Sequence, residues 1–278
     1  MKIPPIISPE EFSKIQNQEN ILLINAGFSR EDYKKSHLEN AFYLDLNEDL
    51  AEIPADAKNG GRHPLPTIEH FITSLAKVGA EKDSHFIIYD DKGGANSAAR
   101  LWWMLRSVGF HKVQVLNGGL QTAINFGLKT TTEIPKAKKV EDLHLNEYQF
   151  PTKNLEEIKT ASINEDKIII DVREKSRFDG EHEPIDLIAG HIPNAINIPF
   201  SENLDENGLF KSPEILKQQY TELLKGRKYE EIIVHCGSGV TACHTILAMD
   251  YAGFEIPNLY VGSWSEWSRN YLPIAKNI

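Results

Sequence analysis

Cysteine is scarce in this sequence, since only Cys236 and Cys243 occur among 278 residues. Both fall on what we expect to be one loop and the start of one helix, where a disulfide would staple little, so two free thiols in a reducing compartment are expected. No apolar run approaches the roughly 20 residues that span a bilayer. The start MKIPPIISPEEF also lacks the basic patch and long apolar core of a signal peptide. We therefore expect a cytoplasmic protein without membrane contact.

Positive charge is also in deficit, because 30 Lys and Arg face 40 Asp and Glu, for a net charge of −10. Binding to nucleic acid needs clustered Lys and Arg, so this composition argues against a nucleic-acid partner. The histidines and cysteines lack the spacing of metal ligands, and no GxGxxG motif is present. We expect neither a metal nor a cofactor.

What the sequence does contain is a repeat, because four blocks of the first half recur in the same order in the second half. The matched pairs are ILLINAGFSREDY with IIIDVREKSRF, SHLENAFYLDL with GHIPNAINIPF, HFIIYDDKGGANSAARLWWMLRSVGF with EIIVHCGSGVTACHTILAMDYAGF, and VLNGGLQTAI with YVGSWSEWSR. Each half alternates strand and helix, which is the βαβ pattern of a parallel sheet covered by helices. The predicted fold class is α/β, with two tandem domains that each have a mainly parallel sheet flanked by helices.

The joint between the two domains should lie in KTTTEIPKAKKVEDLHLNEYQFPTKN. This stretch carries Thr and Lys runs, two prolines and little amphipathic period, as linkers do. We predict an N-terminal domain over residues 1–135, a linker over 136–150 and a C-terminal domain over 151–278.

The stretch VHCGSGVTAC places Cys236 between a predicted buried strand, EEIIV, and a predicted helix, TACHTILAMDYAGF. Ligands of open parallel sheets bind at the carboxyl ends of strands. The loop GSGVT, residues 237–241, can turn successive backbone N–H groups inward, and the helix N-terminus adds partial positive charge. Such surroundings favour a thiolate, so we expect a nucleophile here. The alternative is an inert packed cysteine, which is what we expect of Cys243 inside the helix.

Four motifs together resemble a known family: the loop CGSGVTAC, the DVRE that begins at Asp171, AGHIPNAINIPF, and the closing GSWSEW. The combination resembles the two-domain rhodaneses, and the Gly and Ser of the loop are similar to those of 3-mercaptopyruvate sulfurtransferases. Thiosulfate sulfurtransferases usually carry basic residues there. The resemblance implies two rhodanese-like domains, a persulfide on Cys236 and a non-catalytic N-terminal domain in which Asp90 replaces the cysteine. The loop residues that it implies for substrate binding are Gly237, Gly239, Val240 and Thr241.

The resemblance further implies that Ser238 and a histidine from the N-terminal half of the chain assist the nucleophile. The family histidine falls in a short motif ending in Leu-Pro, which GGRHPLP matches at His63. The family aspartate that completes the relay aligns with Asn47, a departure that leaves Asp45 and Asp49 as nearby acids. Which of these three residues completes the relay stays open.

Substrate recognition is implied for Arg177 in KSRFDGE, which matches the family arginine that binds the substrate carboxylate. The second family arginine is replaced by Ile185, so one half of that carboxylate site is missing. The expected activity is sulfur transfer from 3-mercaptopyruvate to a thiol or cyanide, with thioredoxin as one candidate acceptor. Thiosulfate as the donor and a non-catalytic regulatory module are the alternatives. A phosphatase is disfavoured, because its loop needs an arginine where this chain has Ala242.

Other prominent residues are predicted to be structural. Arg173 should pair with an acid such as Asp171 or Glu174, and His191 should belong to a turn that leads into the next strand. The tryptophans are expected to pack in the core or between the domains; they are Trp102, Trp103, Trp264 and Trp267.

Overall fold

The computed structural model describes residues 3–139 and 143–277 and divides into two compact units. Unit 1 extends to Ala51 and resumes from Pro66 to Gln149, whereas unit 2 comprises Glu52–Leu65 and the chain from Phe150 onwards. The short segment 52–65 therefore belongs to the second unit, a placement that the sequence did not predict. The predicted linker over 136–150 includes residues 140–142, which lie outside the described residues, and its bounds stay a prediction.

Unit 1 alternates strands and helices. Its strands are β1 (Ile6–Ile7), β2 (Ile21–Gly27), β3 (His37–Leu38), β4 (Phe42–Asp45), β5 (His85–Tyr89), β6 (Val113–Leu116) and β7 (Thr130–Thr131). Its helices are α1 (Pro9–Ile15), α2 (Arg30–Lys35), α3 (Leu46–Asp49), α4 (Ile68–Lys77), α5 (Ser97–Ser107) and α6 (Gly119–Phe126).

Unit 2 follows the same alternation. Its strands are β8 (Thr152–Lys153), β9 (Ile168–Asp171), β10 (Ala195–Asn197), β11 (Ile232–His235) and β12 (Asn258–Tyr260). Its α-helices are α7 (Leu155–Ala161), α8 (Lys175–Asp179), α9 (Pro213–Leu224), α10 (Ala242–Tyr251) and α11 (Ser263–Trp267). Short 3₁₀ helices cover Phe200–Asn203 and Tyr229–Glu231.

Both units build a five-stranded sheet with the same order. The order is β1-β6-β5-β2-β4 in unit 1 and β8-β12-β11-β9-β10 in unit 2, and every neighbouring pair in these two sheets is parallel. A separate antiparallel pair joins β3 and β7. The predicted α/β class and the internal repeat are therefore confirmed, and β5 and β11 occupy equivalent central positions.

Local sequence explains several of these elements. Helices α1 and α7 each begin with a capping box, Ser8 with Glu11 and Asn154 with Glu157, in which side chain and backbone satisfy each other's N–H groups. All four residues of the apolar strand β11 are buried, as expected of a strand covered on both faces.

Among the described residues, no helix combines the length and apolar character needed to cross a bilayer.

The aromatic side chains lie in the cores. All four tryptophans are at most 1% exposed, and the indole N–H groups of Trp264 and Trp267 donate to the carbonyl oxygens of Ile188 and Pro273. In unit 2 these two rings belong to the apolar cluster that also contains Ile233 of β11. All four tryptophans are therefore core residues of the unit in which they lie.

Candidate active site

Cys236 directly follows the central strand β11 and begins the loop that leads into α10. Cys236 is buried, with 3% of its surface exposed. Within the loop, Gly239 has a φ of +72°, and a Cβ built there would lie 2.4 Å from the carbonyl oxygen of Val261. A side chain at this position would therefore be strained and would collide with the backbone, which explains the glycine.

The first turn of α11 fixes the backbone of the cysteine loop. The N–H of Cys236 donates to Ser263 Oγ at 3.2 Å, and its carbonyl accepts from Trp264 N–H at 3.0 Å. Next along the chain, the carbonyl of Gly237 accepts from Ser265 N–H at 2.8 Å. Because these carbonyl groups are bonded to the neighbouring turn, the loop conformation is set before any substrate binds.

Cys243 has a different environment from Cys236. It lies in the first turn of α10, is fully buried, and its Sγ is 3.4 Å from the carbonyl oxygen of Gly239. Both cysteines are free thiols. The second thiol packs beneath the loop, in agreement with its expected structural role.

Ser238 and His63 meet in unit 2. The distance between Ser238 Oγ and His63 Nδ1 is 2.8 Å, within hydrogen-bond range. The segment 52–65 carries His63 to this place because Gly60 N–H donates to Glu266 Oε1 at 2.8 Å and Arg62 N–H donates to Ser265 Oγ at 3.0 Å. The structure thus brings together the serine and the histidine that the sequence predicted as assisting groups.

The two acids considered for the relay have partners within unit 1. Asp45 caps α3 by accepting from the backbone N–H of Asn47, and it also accepts from the hydroxyl of Tyr43 at 2.7 Å. Asp49 accepts from Ser74 Oγ at 3.0 Å and Lys77 Nζ at 2.7 Å. Both acids have structural partners, and the residue that completes the relay stays open.

Arg177 lies on α8 beside the loop. Its guanidinium donates to Glu183 at 2.8 Å and to Asp186 at 3.4 Å, and its Nη2 is 3.5 Å from the Cβ position built on Gly237. Ile185 is apolar and therefore supplies no cation at the position of the second family arginine. It is 55% exposed, so its side chain also contributes little packing. The predicted arginine therefore faces Gly237, the residue that follows Cys236.

Arg62 is a further charged residue at the loop, and the sequence analysis did not single it out. Its Nε and Nη2 donate to the two carboxylate oxygens of Asp186 at 3.0 and 3.2 Å, and its Nη2 lies 3.0 Å from the Cβ position built on Gly237. The available signal was its position in GGRHPLP, directly before His63. Arg62 therefore lies beside the same loop residue, Gly237, as Arg177 does.

A buried ionic network lies next to the loop. Arg173 donates to Asp171 at 2.6 Å and to Glu183 at 3.1 Å, and it lies over the ring of Trp264 at 4.6 Å. Burial works to raise the pKa of Asp171, but the neighbouring Arg173 and His235 together outweigh it and keep the pKa below its usual range. Burial lowers the pKa of His235, which directly precedes Cys236, and so favours a neutral ring. The predicted pairing of Arg173 with Asp171 is confirmed.

The equivalent loop of unit 1 follows β5 and begins with Asp90. This side chain accepts from the backbone N–H groups of Lys92, Gly94, Asn96 and Ala98 at 2.7 to 3.2 Å. Burial raises the pKa of Asp90, and these four N–H groups oppose that shift. The inward amides of this loop are thus occupied by its own side chain, which supports the proposal of a non-catalytic N-terminal domain.

Within residues 3–139 and 143–277, no group of three or more His, Cys, Asp or Glu side chains is placed to hold a metal ion. The functional groups around the cysteine loop are a thiol, a hydroxyl, an imidazole, two guanidiniums and the carboxylates that pair with them.

Comparison with known proteins identifies the family of both units. The rhodanese-like domain matches residues 8–124 and again residues 154–270. A protein of Pseudomonas aeruginosa named probable 3-mercaptopyruvate sulfurtransferase is 36% identical over 282 residues, which cover 96% of this chain and 96% of that protein. The thiosulfate sulfurtransferase of Gallus gallus is 32% identical over 252 residues, covering 89% of this chain and 84% of the relative.

The fold has solved counterparts as well. The structure of 3-mercaptopyruvate sulfurtransferase from Leishmania major superposes with a TM-score of 0.82 at 28% identity, and covers 98% of this chain and 76% of that one. Two domain matches and relatives above 30% identity along most of the sequence agree with the loop and the repeated sheet. The chain belongs to the family of proteins with rhodanese-like domains.

Proposed function

We propose that the protein is a sulfurtransferase that moves a sulfur atom from 3-mercaptopyruvate, through a persulfide on Cys236, to a thiol or cyanide acceptor. The observation that carries this proposal is the position of Cys236 on a loop whose backbone is fixed by neighbouring residues, with Ser238 and His63 joined at 2.8 Å beside it. The names of the two sulfurtransferase relatives support the same activity.

The first half-reaction would be an attack of the Cys236 thiolate on the sulfur of the donor. A sulfur–sulfur bond forms and the carbon–sulfur bond of the donor breaks, so the electron pair remains on carbon as the enolate of pyruvate. The enolate then takes up a proton and leaves as pyruvate. The pair of Ser238 and His63 is suited to deliver that proton, because an imidazole exchanges protons near neutral pH.

The second half-reaction would restore the enzyme. An acceptor thiolate attacks the outer sulfur of the persulfide, and the bond between the two sulfurs breaks to return the Cys236 thiolate. Ping-pong kinetics follow from such a covalent intermediate. Thioredoxin is one protein whose thiol could serve as the acceptor. We propose the cytoplasm as the compartment of this reaction, because free cysteines stay reduced there.

Substrate binding would use charge and backbone together. Arg177 suits the carboxylate of the donor, because a guanidinium matches a carboxylate through its planar fork. The persulfide anion would lie against the backbone N–H groups of the loop, as anions do in such concave turns. The loop residues with this role are Gly237, Gly239, Val240 and Thr241.

Thiosulfate is the rival donor, and one relative is named for it. Thiosulfate sulfurtransferases usually carry basic residues within this loop, whereas the GSGVT loop carries no basic side chain of its own. We therefore expect a higher kcat/KM with 3-mercaptopyruvate than with thiosulfate. A clear preference for thiosulfate would overturn this choice of donor and leave the sulfurtransferase proposal in place.

The proposed nucleophile is tested by a matched pair of variants. Cys236→Ser should abolish sulfur transfer. Cys243→Ser, in the first turn of α10, should retain activity, because a serine hydroxyl can donate to the Gly239 carbonyl as the buried thiol does. The measurement is the rate of pyruvate release with 3-mercaptopyruvate and a thiol acceptor. Turnover retained in Cys236→Ser would refute the proposal.

A further inference from the structure

Two guanidiniums flank the residue that follows the nucleophile. The three atoms nearest to the Cβ position built on Gly237 are Arg62 Nη2 at 3.0 Å, Arg177 Nη2 at 3.5 Å and Asp186 Oδ2 at 3.5 Å. Glycine leaves this space open, and a side chain here would push against Arg62. The two cations are thus placed within reach of a ligand bound at Cys236.

Arg62 is held in a defined position. Its Nε and Nη2 make two parallel hydrogen bonds to Asp186, whose side chain is fully buried, and its backbone is bonded to Ser265. Such a fork geometry restricts the guanidinium plane before any ligand binds. The Arg62 side chain is still 26% exposed, so ligands from solvent can reach it.

Both guanidiniums keep donor capacity. An arginine carries five N–H donors. Among the residues that the structure describes, the Nη1 groups of Arg62 and Arg177 have no hydrogen-bond partner, because their bonds to Glu183 and Asp186 run through Nε and Nη2. These N–H groups can donate hydrogen bonds to a planar anion.

The surrounding charges leave a local positive excess. Three guanidiniums share Asp186, and a fourth joins through Glu183. The network contains four guanidiniums and three carboxylates; they are Arg62, Arg173, Arg177 and Arg269, and Asp171, Glu183 and Asp186. This excess is unusual in a chain with a net charge of −10, and it favours an anion at this place.

We infer that Arg62 is the second carboxylate-binding residue of the site and acts with Arg177 where Ile185 supplies no cation. The inference rests on the proposed function for the identity of the donor, and it concerns recognition of the donor's carboxylate rather than the transfer of sulfur. The segment 52–65 then contributes two groups to the site: Arg62 as a substrate contact and His63 as the partner of Ser238.

The test compares two alkylating reagents of the same size at Cys236, iodoacetate with a carboxylate and iodoacetamide without one. In both reactions the thiolate forms a sulfur–carbon bond and iodide leaves, so the ratio of their rate constants reports carboxylate recognition and does not require sulfur transfer. Peptide mass spectrometry separates labelling of Cys236 from that of Cys243. Arg62→Ala should lower the ratio of iodoacetate to iodoacetamide about tenfold, as expected for the loss of a hydrogen bond to a charged group. Arg62→Lys should keep only part of the ratio, because an ammonium retains the charge but not the planar fork.

Arg227→Ala is the matched control, because Arg227 is an arginine of the same unit that donates to the backbone carbonyls of Glu165 and Asp166 and is not a member of the network around Asp186. It should leave the ratio within about twofold, as a distant and independent site would. An unchanged ratio in Arg62→Ala, or an equal fall in Arg227→Ala, would overturn the inference. The proposed function fails by a different result: wild-type protein that forms no persulfide with 3-mercaptopyruvate.

Discussion

Ser238 and His63 lie 2.8 Å apart although 175 positions separate them in the chain. If they deliver one proton as a unit, Ser238→Ala and His63→Gln should each lower kcat by about 10- to 100-fold, and the double variant should be little worse than either single one. The measurement is kcat for pyruvate release with 3-mercaptopyruvate.

His111→Gln serves as the control for that series, because His111 is exposed and lies in unit 1. It should leave kcat unchanged. Losses in the double variant that equal the product of the two single losses would mean that the two groups act independently.

At the scale of single residues, the sequence predicts those functional residues that belong to a short local motif. Cys236 stands out by its loop and His63 by its GGRHPLP motif, and the structure brings His63 to Ser238. The sequence does not reveal Arg62, because its position depends on Asp186, which is 124 positions away. A pairing at that separation has no local pattern and emerges only from the fold.

At the scale of the element, the cysteine loop depends on backbone space. Gly239 combines a φ of +72° with a Cβ position 2.4 Å from the carbonyl oxygen of Val261. Gly239→Ala should therefore lower the free energy of unfolding by at least about 2 kcal/mol. The substitution should also displace the Cys236 thiol. The measurement is the urea unfolding midpoint together with the rate of sulfur transfer.

Gly253→Ala separates the two causes. Gly253 also has a positive φ, +85°, but nothing lies within 4 Å of its Cβ position. This variant should cost only about 1 kcal/mol, the price of the left-handed conformation alone, and should keep full activity. Equal losses in both variants would show that the contact with Val261 is not what demands a glycine.

The repeated elements explain the predicted turn at His191. Its ring stacks on Phe178 at 3.7 Å, and its Nδ1 lies 2.8 Å from the carbonyl oxygen of Phe178. In unit 1, His37 stacks on Tyr33 at 3.9 Å and lies 2.7 Å from its carbonyl oxygen. Both histidines therefore anchor equivalent helix ends, and the structural role that the sequence predicted for His191 agrees with this geometry.

At the scale of the whole molecule, the repeat was sufficient to predict two parallel sheets, because a strand–helix alternation has few ways to pack. The segment 52–65 escaped prediction since it falls outside the four matched blocks and has no regular element among its residues. Its partners are residues such as Glu266 and Asp186, which are remote in sequence. Membership of unit 2 is thus decided by contacts that local patterns do not encode.

The stability of the protein should depend on pH through His244. This residue is fully buried against Phe210 and Phe200, and burial lowers its pKa to about 3. The unfolded chain binds a proton at this histidine below a pH of about 6.5, whereas the folded chain does not. Stability is therefore lost as the pH falls from about 6.5 toward about 3, by up to about 1.4 kcal/mol per pH unit from this group.

Thermal unfolding midpoints at about pH 7 and about pH 5 measure this dependence. His244→Phe should be less stable at neutral pH, because Asn203 Nδ2 loses a partner at 3.3 Å, but its midpoint should fall less between the two pH values. An equal fall in wild type and variant would assign the acid sensitivity to other groups.

The persulfide on Cys236 is the central claim, and intact and peptide mass spectrometry after incubation with 3-mercaptopyruvate tests it most directly. We expect a gain of one sulfur atom on the peptide that contains Cys236, its loss after addition of a thiol acceptor, and no gain in Cys236→Ser. An unmodified Cys236 under conditions in which pyruvate is released would contradict the account.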